Sequence, residues 1–145
     1  MFNRFSFWIW GTIVLQWFTA VLHSIGQFLA PEPESMDEKE KMLIDLMANF
    51  KKDFGVGYVR STDDFVFALG ISFTLFCLFA GFVNWWLYKK RISAEVWRGL
   101  LVIQIVIFGI TFLTMHFYTF LPPVVCTGLI FLFSIGAYIS SRKKA

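Results

Sequence analysis

The sequence predicts an all-α membrane protein with four transmembrane helices in a single domain, residues 1–145, and a further amphipathic helix between the first two spans. Hydrophobic residues make up 57% of the chain and charged residues only 16%, whereas soluble domains average about 25% charged residues. A soluble domain of this length would have nowhere to bury 19 Phe and 6 Trp, because small domains bury only about two-thirds of their surface. This composition disfavours a soluble enzyme and a nucleic-acid-binding module.

Long uncharged stretches define the spans. Twenty-seven uncharged residues separate Arg4 from Glu32, 24 separate Asp64 from Lys89, and 43 separate Arg98 from Arg142. A helix needs roughly 20 apolar residues to cross the bilayer core, so the third stretch holds two spans. Proline suits the first turn of a helix, and Pro122-Pro123 is therefore predicted to begin the last span. The predicted spans are residues 6–29, 65–88, 99–121 and 123–141, and the first is expected to be retained, not cleaved as a signal peptide.

The distribution of charge predicts the orientation. The side that holds both termini carries eight Lys or Arg and one acidic residue, whereas residues 32–64 carry nine acidic and five basic residues. Lys and Arg are enriched in cytoplasmic loops. We therefore expect both termini in the cytoplasm, loop 31–64 outside it, and the chain in the cytoplasmic (inner) membrane.

The outer loop is predicted to contain an amphipathic helix over residues 36–54. Ser35 precedes Glu38 by three positions, which is the spacing of a capping box. Apolar residues follow at helical spacing, and Gly55 and Gly57 would end the helix. Such a helix lies in the membrane interface or caps the helical bundle.

Polar side chains form one stripe on span one and another on span two. In lipid, such stripes turn towards other helices or towards water. Packing between helices is the expected role of most hydroxyl groups and of the amides Gln16, Asn84 and Gln104.

The two histidines are the main functional candidates. At 1.5 Å of helical rise per residue, His23 and His116 are expected at similar depth in the outer leaflet. Ionisable residues within membrane spans are functional candidates, although each histidine could also be a hydrogen-bonded interfacial side chain. Arg60 with Asp63 or Asp64 would equally suit an ion pair at a helix start. The candidate ligand-binding pocket comprises His23, Gln27, Tyr58, Arg60, Asp63, His116 and Tyr118.

Several functions fit this pattern. The leading one is non-catalytic: an accessory subunit of a membrane complex, or a binder of a lipophilic ligand at an outward-facing polar pocket. The alternatives are a membrane enzyme in which His23 and Asp63 act by acid–base chemistry on a lipid-like substrate, and an electron-transfer subunit whose b-type haem is held by His23 and His116. A channel or transporter is less favoured, because it would need a polar path across the whole membrane and no charged residue lies at the middle of the predicted spans. No cofactor, no metal site and no nucleic acid are expected, and the expected partners are the bilayer, other membrane subunits or further copies of the chain.

Two segments in the first half of the chain carry a resemblance. Residues 22–28 (LHSIGQF) and 57–65 (GYVRSTDDF) resemble a group of small bacterial four-span membrane proteins of unknown function. The resemblance implies that His23, Arg60 and Asp63 belong together.

Overall fold

A computed structural model of the chain describes residues 4–29, 36–53 and 55–142. The described part is helical apart from one short hairpin. The helices are α1 (Arg4–Phe28), α2 (Glu38–Asn49), α3 (Thr62–Lys89), α4 (Ala94–Tyr118) and α5 (Leu121–Arg142), and the strands are β1 (Lys51–Asp53) and β2 (Val59–Ser61).

Four of these helices are long and apolar enough to cross a membrane. They are Arg4–Phe28, Thr62–Lys89, Ala94–Tyr118 and Leu121–Ser141, which confirms the prediction of four spanning helices as far as length and composition can. Pro122 and Pro123 lie in the first turn of α5, where a missing N–H costs nothing because the first helical N–H groups have no partner within the helix. The break between the last two spans is therefore where the prolines predicted it.

Helix α2 is shorter than predicted and begins at a different cap. Asp37 is the N-cap: its side chain accepts a hydrogen bond from the Glu40 backbone N–H at 2.7 Å, and the Glu40 side chain accepts one from the Asp37 N–H at 3.2 Å. This capping box lies two residues later than the predicted one, and Ser35 is outside the described residues. No residue of α2 is buried.

The prediction that the helix continues to residue 54 is wrong, because the chain reverses in a hairpin. Strands β1 and β2 are antiparallel, with Lys51 opposite Ser61 and Asp53 opposite Val59. The turn between them has positive φ at three consecutive residues, Gly55 (110°), Val56 (52°) and Gly57 (82°). Glycine adopts such angles without steric cost, so the two glycines make the reversal possible, and cross-strand bonds replace the last helical turn.

The chain divides into two compact units, residues 1–20 with 76–145, and residues 21–75. In the first unit, buried apolar side chains from α1, α4 and α5 form a core. Its members are Ile9, Ile13, Trp97, Leu101 and Ala137.

Within this first unit, α1 and α5 approach closely at Gly136. The Trp8 ring lies where a Cβ on Gly136 would stand, so any larger residue there would overlap the indole. The same indole packs edge-on against Phe133 with ring centroids 5.1 Å apart. Small residues permit such close backbone approach in membrane helices.

Candidate functional site

The end of α1 packs against the beginning of α3 in the second unit. His23 is half-buried and lies edge-on to the Phe73 ring, with ring centroids 5.1 Å apart. Gln27, one turn further along α1, donates from Nε2 to the Phe67 carbonyl at 3.4 Å. Gly70 makes room for this amide, because a Cβ at that position would overlap it. His23 and Gln27 therefore share one face of α1, as their four-residue spacing requires.

Three buried side-chain atoms of this unit have no hydrogen-bond partner among the described residues. They are His23 Nε2, Gln27 Oε1 and Thr74 Oγ1. A buried polar atom without a partner costs about 1–3 kcal/mol, and in native proteins such atoms mark strain, a functional role or a bound group. We call His23, Gln27 and Thr74 the α1–α3 polar cluster.

The residues at the start of α3 are arranged differently from the expected pattern. Ser61 and Asp64 form a reciprocal cap: the Ser61 N–H donates to Asp64 Oδ2, and the Asp64 N–H donates to Ser61 Oγ, both at 3.1 Å. The neighbouring Asp63, a candidate pocket residue, is exposed, and its side chain forms no hydrogen bond or ion pair with the described residues. The carboxylate that stabilises the helix start is thus that of Asp64.

Two further predicted pocket residues lie on or beside β2 and are also exposed. Tyr58 is 64% exposed, and Arg60 donates from its guanidinium to the carbonyl of Val59 at 3.0 Å. Neither contributes a side-chain hydrogen bond to the α1–α3 polar cluster within the described chain.

The remaining two predicted residues belong to the first unit, at the end of α4. His116 is exposed and lies edge-on to Phe117 with ring centroids 5.3 Å apart, and Tyr118 is 83% exposed. The pairing of His23 with His116 that the haem hypothesis requires stays a prediction. Within the described residues, no three His, Cys, Asp or Glu side chains are grouped to hold a metal ion.

The interior of the first unit contains a cluster of three polar residues whose contact with one another is not predicted from the sequence. Gln16 of α1, Asn84 of α3 and Gln104 of α4 are all buried, with at most 6% of any of them exposed. Asn84 Nδ2 donates to Gln16 Oε1 at 3.0 Å and to Gln104 Oε1 at 2.9 Å. Gln104 Nε2 donates back to Asn84 Oδ1 at 2.7 Å, and Gln16 Nε2 donates to Gln104 Oε1 at 3.3 Å. We call these three residues the amide cluster.

The amide cluster has the properties of a structural joint. All three carbonyl oxygens and all three amide nitrogens have a partner inside the cluster, and a buried polar network of this kind rigidifies the helices that supply it. The sequence signal was the presence of three amides in spans that are otherwise apolar. It did not show that they meet, because meeting depends on the rotation and relative height of three helices.

Comparison of the chain with protein-family models, with curated proteins and with solved structures finds no significant match.

Proposed function

We propose that the chain is a non-catalytic integral membrane protein that binds a lipophilic ligand through the α1–α3 polar cluster. One observation carries the proposal: His23 Nε2 and Gln27 Oε1 are buried and have no hydrogen-bond partner in the described chain. A polar group without a partner is most costly in an apolar environment. A ligand that supplies the missing hydrogen bonds would therefore gain binding free energy at both atoms.

The chemistry of the two atoms suggests the polar group of the ligand. Gln27 Oε1 only accepts hydrogen bonds, whereas His23 Nε2 donates or accepts according to its tautomer. A hydroxyl group both donates and accepts, so one hydroxyl placed between side chains one helical turn apart would satisfy both. The rings of Phe73 and Phe67 beside them suit an apolar ligand body.

Ligand binding is better supported than His–Asp catalysis. Acid–base chemistry with His23 and Asp63 needs the two side chains within hydrogen-bond reach of a shared proton path. The Asp63 side chain is exposed and has no hydrogen bond or ion pair among the described residues, and His23 Nε2 has no hydrogen-bond partner there.

We further propose that the chain lies in a bacterial inner membrane with both termini in the cytoplasm and the segment holding α2 and the hairpin outside. The support is the excess of Lys and Arg on one side of the spans. In a variant whose two cysteines, Cys77 and Cys126, are replaced by alanine, a membrane-impermeant maleimide added to intact cells should label Asp45→Cys. It should leave Lys90→Cys unlabelled until the membrane is opened, and the reverse pattern would refute the orientation.

Ligand retention tests the proposed function. The wild-type chain, purified in a mild detergent, should carry a lipophilic molecule that mass spectrometry of the extract detects in near-stoichiometric amount. His23→Phe and Gln27→Leu should each lose it, because each removes one of the polar atoms that the ligand would meet, while circular dichroism shows both variants still folded.

Leu22→Phe is the matched control, since it adds a similar ring at an exposed neighbouring position of the same turn and should retain the ligand. A wild-type protein with no bound molecule above the level of a membrane protein prepared in parallel would refute the proposal. Equal retention by the wild type and both variants would refute it as well.

A further inference from the structure

An open-sided cavity of about 480 Å³ lies in the first unit, where the start of α1, the end of α3, the start of α4 and the end of α5 meet. It is separate from the α1–α3 polar cluster, none of whose residues line it. Three aromatic residues, Phe5, Tyr88 and Trp97, are among those that line it. Trp97 is only 4% exposed and meets the Phe5 ring edge-on, with ring centroids 5.4 Å apart. The cavity is therefore a recess with aromatic side chains on part of its wall.

Hydroxyl groups add polarity to the recess. Tyr88 donates from its hydroxyl to Ser6 Oγ at 3.1 Å, which links α3 to α1 across the cavity wall. The Trp10 ring packs edge-on against Tyr88 with centroids 5.6 Å apart and holds the phenol in place. Both the Ser6 and the Tyr88 oxygens keep lone pairs or a proton with which to meet a ligand.

Two cationic side chains also line the cavity. Lys89 ends α3 and Arg91 follows in the turn to α4. Neither has a hydrogen bond or an ion pair from its side chain to any residue in the described part of the chain. Glu95 is the acidic residue nearest in sequence, and it does not line the cavity.

Arg91 has an unusual backbone conformation. Its φ is 50°, in the left-handed region, and its N–H donates to the Tyr88 carbonyl at 3.2 Å to close the end of α3. Helix ends of this kind usually take glycine, because a side chain there is strained. Strain held at one residue is a pointer to function, and here it holds a permanent positive charge at the cavity.

We propose that this cavity binds a phosphate-bearing anion, held by Lys89 and Arg91 and by the hydroxyls of the recess. Arg and Lys are the side chains that recognise phosphate, Arg by a two-pronged contact and Lys as a point charge. The aromatic side chains in the wall, together with Ile92, provide a surface for an apolar body attached to the phosphate. The same chemistry is met by the headgroup of an anionic lipid and by a soluble phosphate compound.

The test is a titration of the full chain in a neutral detergent, followed by native mass spectrometry. One arm uses a phosphatidic acid with short acyl chains, the second uses inorganic phosphate, and the third uses phosphatidylcholine as a zwitterionic reference. We expect one phosphatidic acid bound at least tenfold more tightly than phosphatidylcholine. Binding of inorganic phosphate with similar strength would identify a soluble phosphate compound as the ligand and would still support the site.

Charge variants separate the cavity from general attraction to a basic surface. Lys89→Gln and Arg91→Gln should each weaken anion binding about tenfold, which is the effect of losing one hydrogen bond to a charged group. Lys90→Gln removes the same charge from the same turn, but Lys90 does not line the cavity, and binding should change less than twofold. If Lys90→Gln weakens binding as much as the other two, the attraction is general and the proposal fails.

Arg91→Gly distinguishes a direct loss of anion binding from a loss caused by misfolding. This substitution relieves the backbone strain at φ 50°, so the protein should unfold at the wild-type temperature or above it while anion binding falls about tenfold. A variant that is equally stable and binds the anion as tightly as the wild type would overturn the role of Arg91. Absence of any anion binding by the wild type would overturn the site itself.

Discussion

Replacement of Asn84 by leucine is expected to lower the free energy of unfolding as much as an apolar substitution of Gln104 does. Both should lower it more than an apolar substitution of Gln16. Asn84 takes part in three of the four hydrogen bonds of the cluster, and so does Gln104, whereas Gln16 takes part in two. Loss of Asn84 leaves the Nε2 of Gln104 without an acceptor and the Oε1 of Gln16 without a donor. Only the 3.3 Å bond between Gln16 and Gln104 would remain.

The magnitude follows from the number of bonds lost. Hydrogen bonds between membrane helices contribute about 0.6 kcal/mol each on average. On this scale Gln16→Met should lower the free energy of unfolding by about 1 kcal/mol, and Asn84→Leu and Gln104→Met by about 2 kcal/mol each. Leucine and methionine keep the side-chain volumes similar, so packing changes little.

The triple variant distinguishes hydrogen bonding from packing. When all three amides become apolar together, no polar atom is left without a partner, and the triple variant should be less destabilised than the sum of the single variants. The assay is reversible unfolding in mixed detergent micelles, followed by circular dichroism. Thr111→Val is the control, because its hydroxyl bonds only to the Ile107 carbonyl of its own helix. Strictly additive effects, or a Gln16 variant that costs as much as the Asn84 variant, would refute the reasoning.

Two further predictions concern packing and capping. Gly136→Val should lower the free energy of unfolding by at least about 2 kcal/mol, because the new side chain overlaps Trp8. Gly99→Ala is the control and should be neutral or stabilising, because nothing lies within 4 Å of a Cβ added there. Equal effects of the two variants in the same unfolding assay would contradict the close approach at Gly136. Ser61→Ala should cost about 1 kcal/mol and speed amide hydrogen exchange in the first turn of α3, since it removes one bond of the reciprocal cap with Asp64; unchanged exchange there would show that the cap contributes nothing.

The spanning helices were predictable because the signal for each lies within its own segment. Membrane insertion depends on the length of an uncharged stretch, and that length can be counted from Arg4 to Glu32 or from Asp64 to Lys89. The prolines gave a local signal for the last boundary in the same way.

The end of α2 was not predictable by the same means. Residues 50–54 continue an apolar spacing that suits a helix, but residues 51–53 pair instead with residues 59–61. That pairing depends on the positive φ angles from Gly55 to Gly57, and such a turn competes with the helix only once both strands are present. The helical spacing of residues 50–54 therefore does not decide their structure, because pairing between two strands replaces the helix there.

The site was predictable only in part. His23 and Gln27 share a face because they are four residues apart on one helix, which the sequence states directly. The amide cluster joins residues separated by 68, 20 and 88 positions, and it depends on how three helices are rotated about their axes. The strained backbone of Arg91 likewise has no sequence signal, since arginine is not a residue that favours a positive φ.

The amide cluster also has an electrical consequence. Moving one elementary charge across a membrane potential of 100 mV involves about 2.3 kcal/mol, so a joint built from an ion pair would respond to voltage and to protonation. Gln16, Asn84 and Gln104 carry no net charge and do not titrate. The joint between these three helices should therefore hold with the same strength in an energised and in a depolarised membrane, and in acidic as in neutral surroundings.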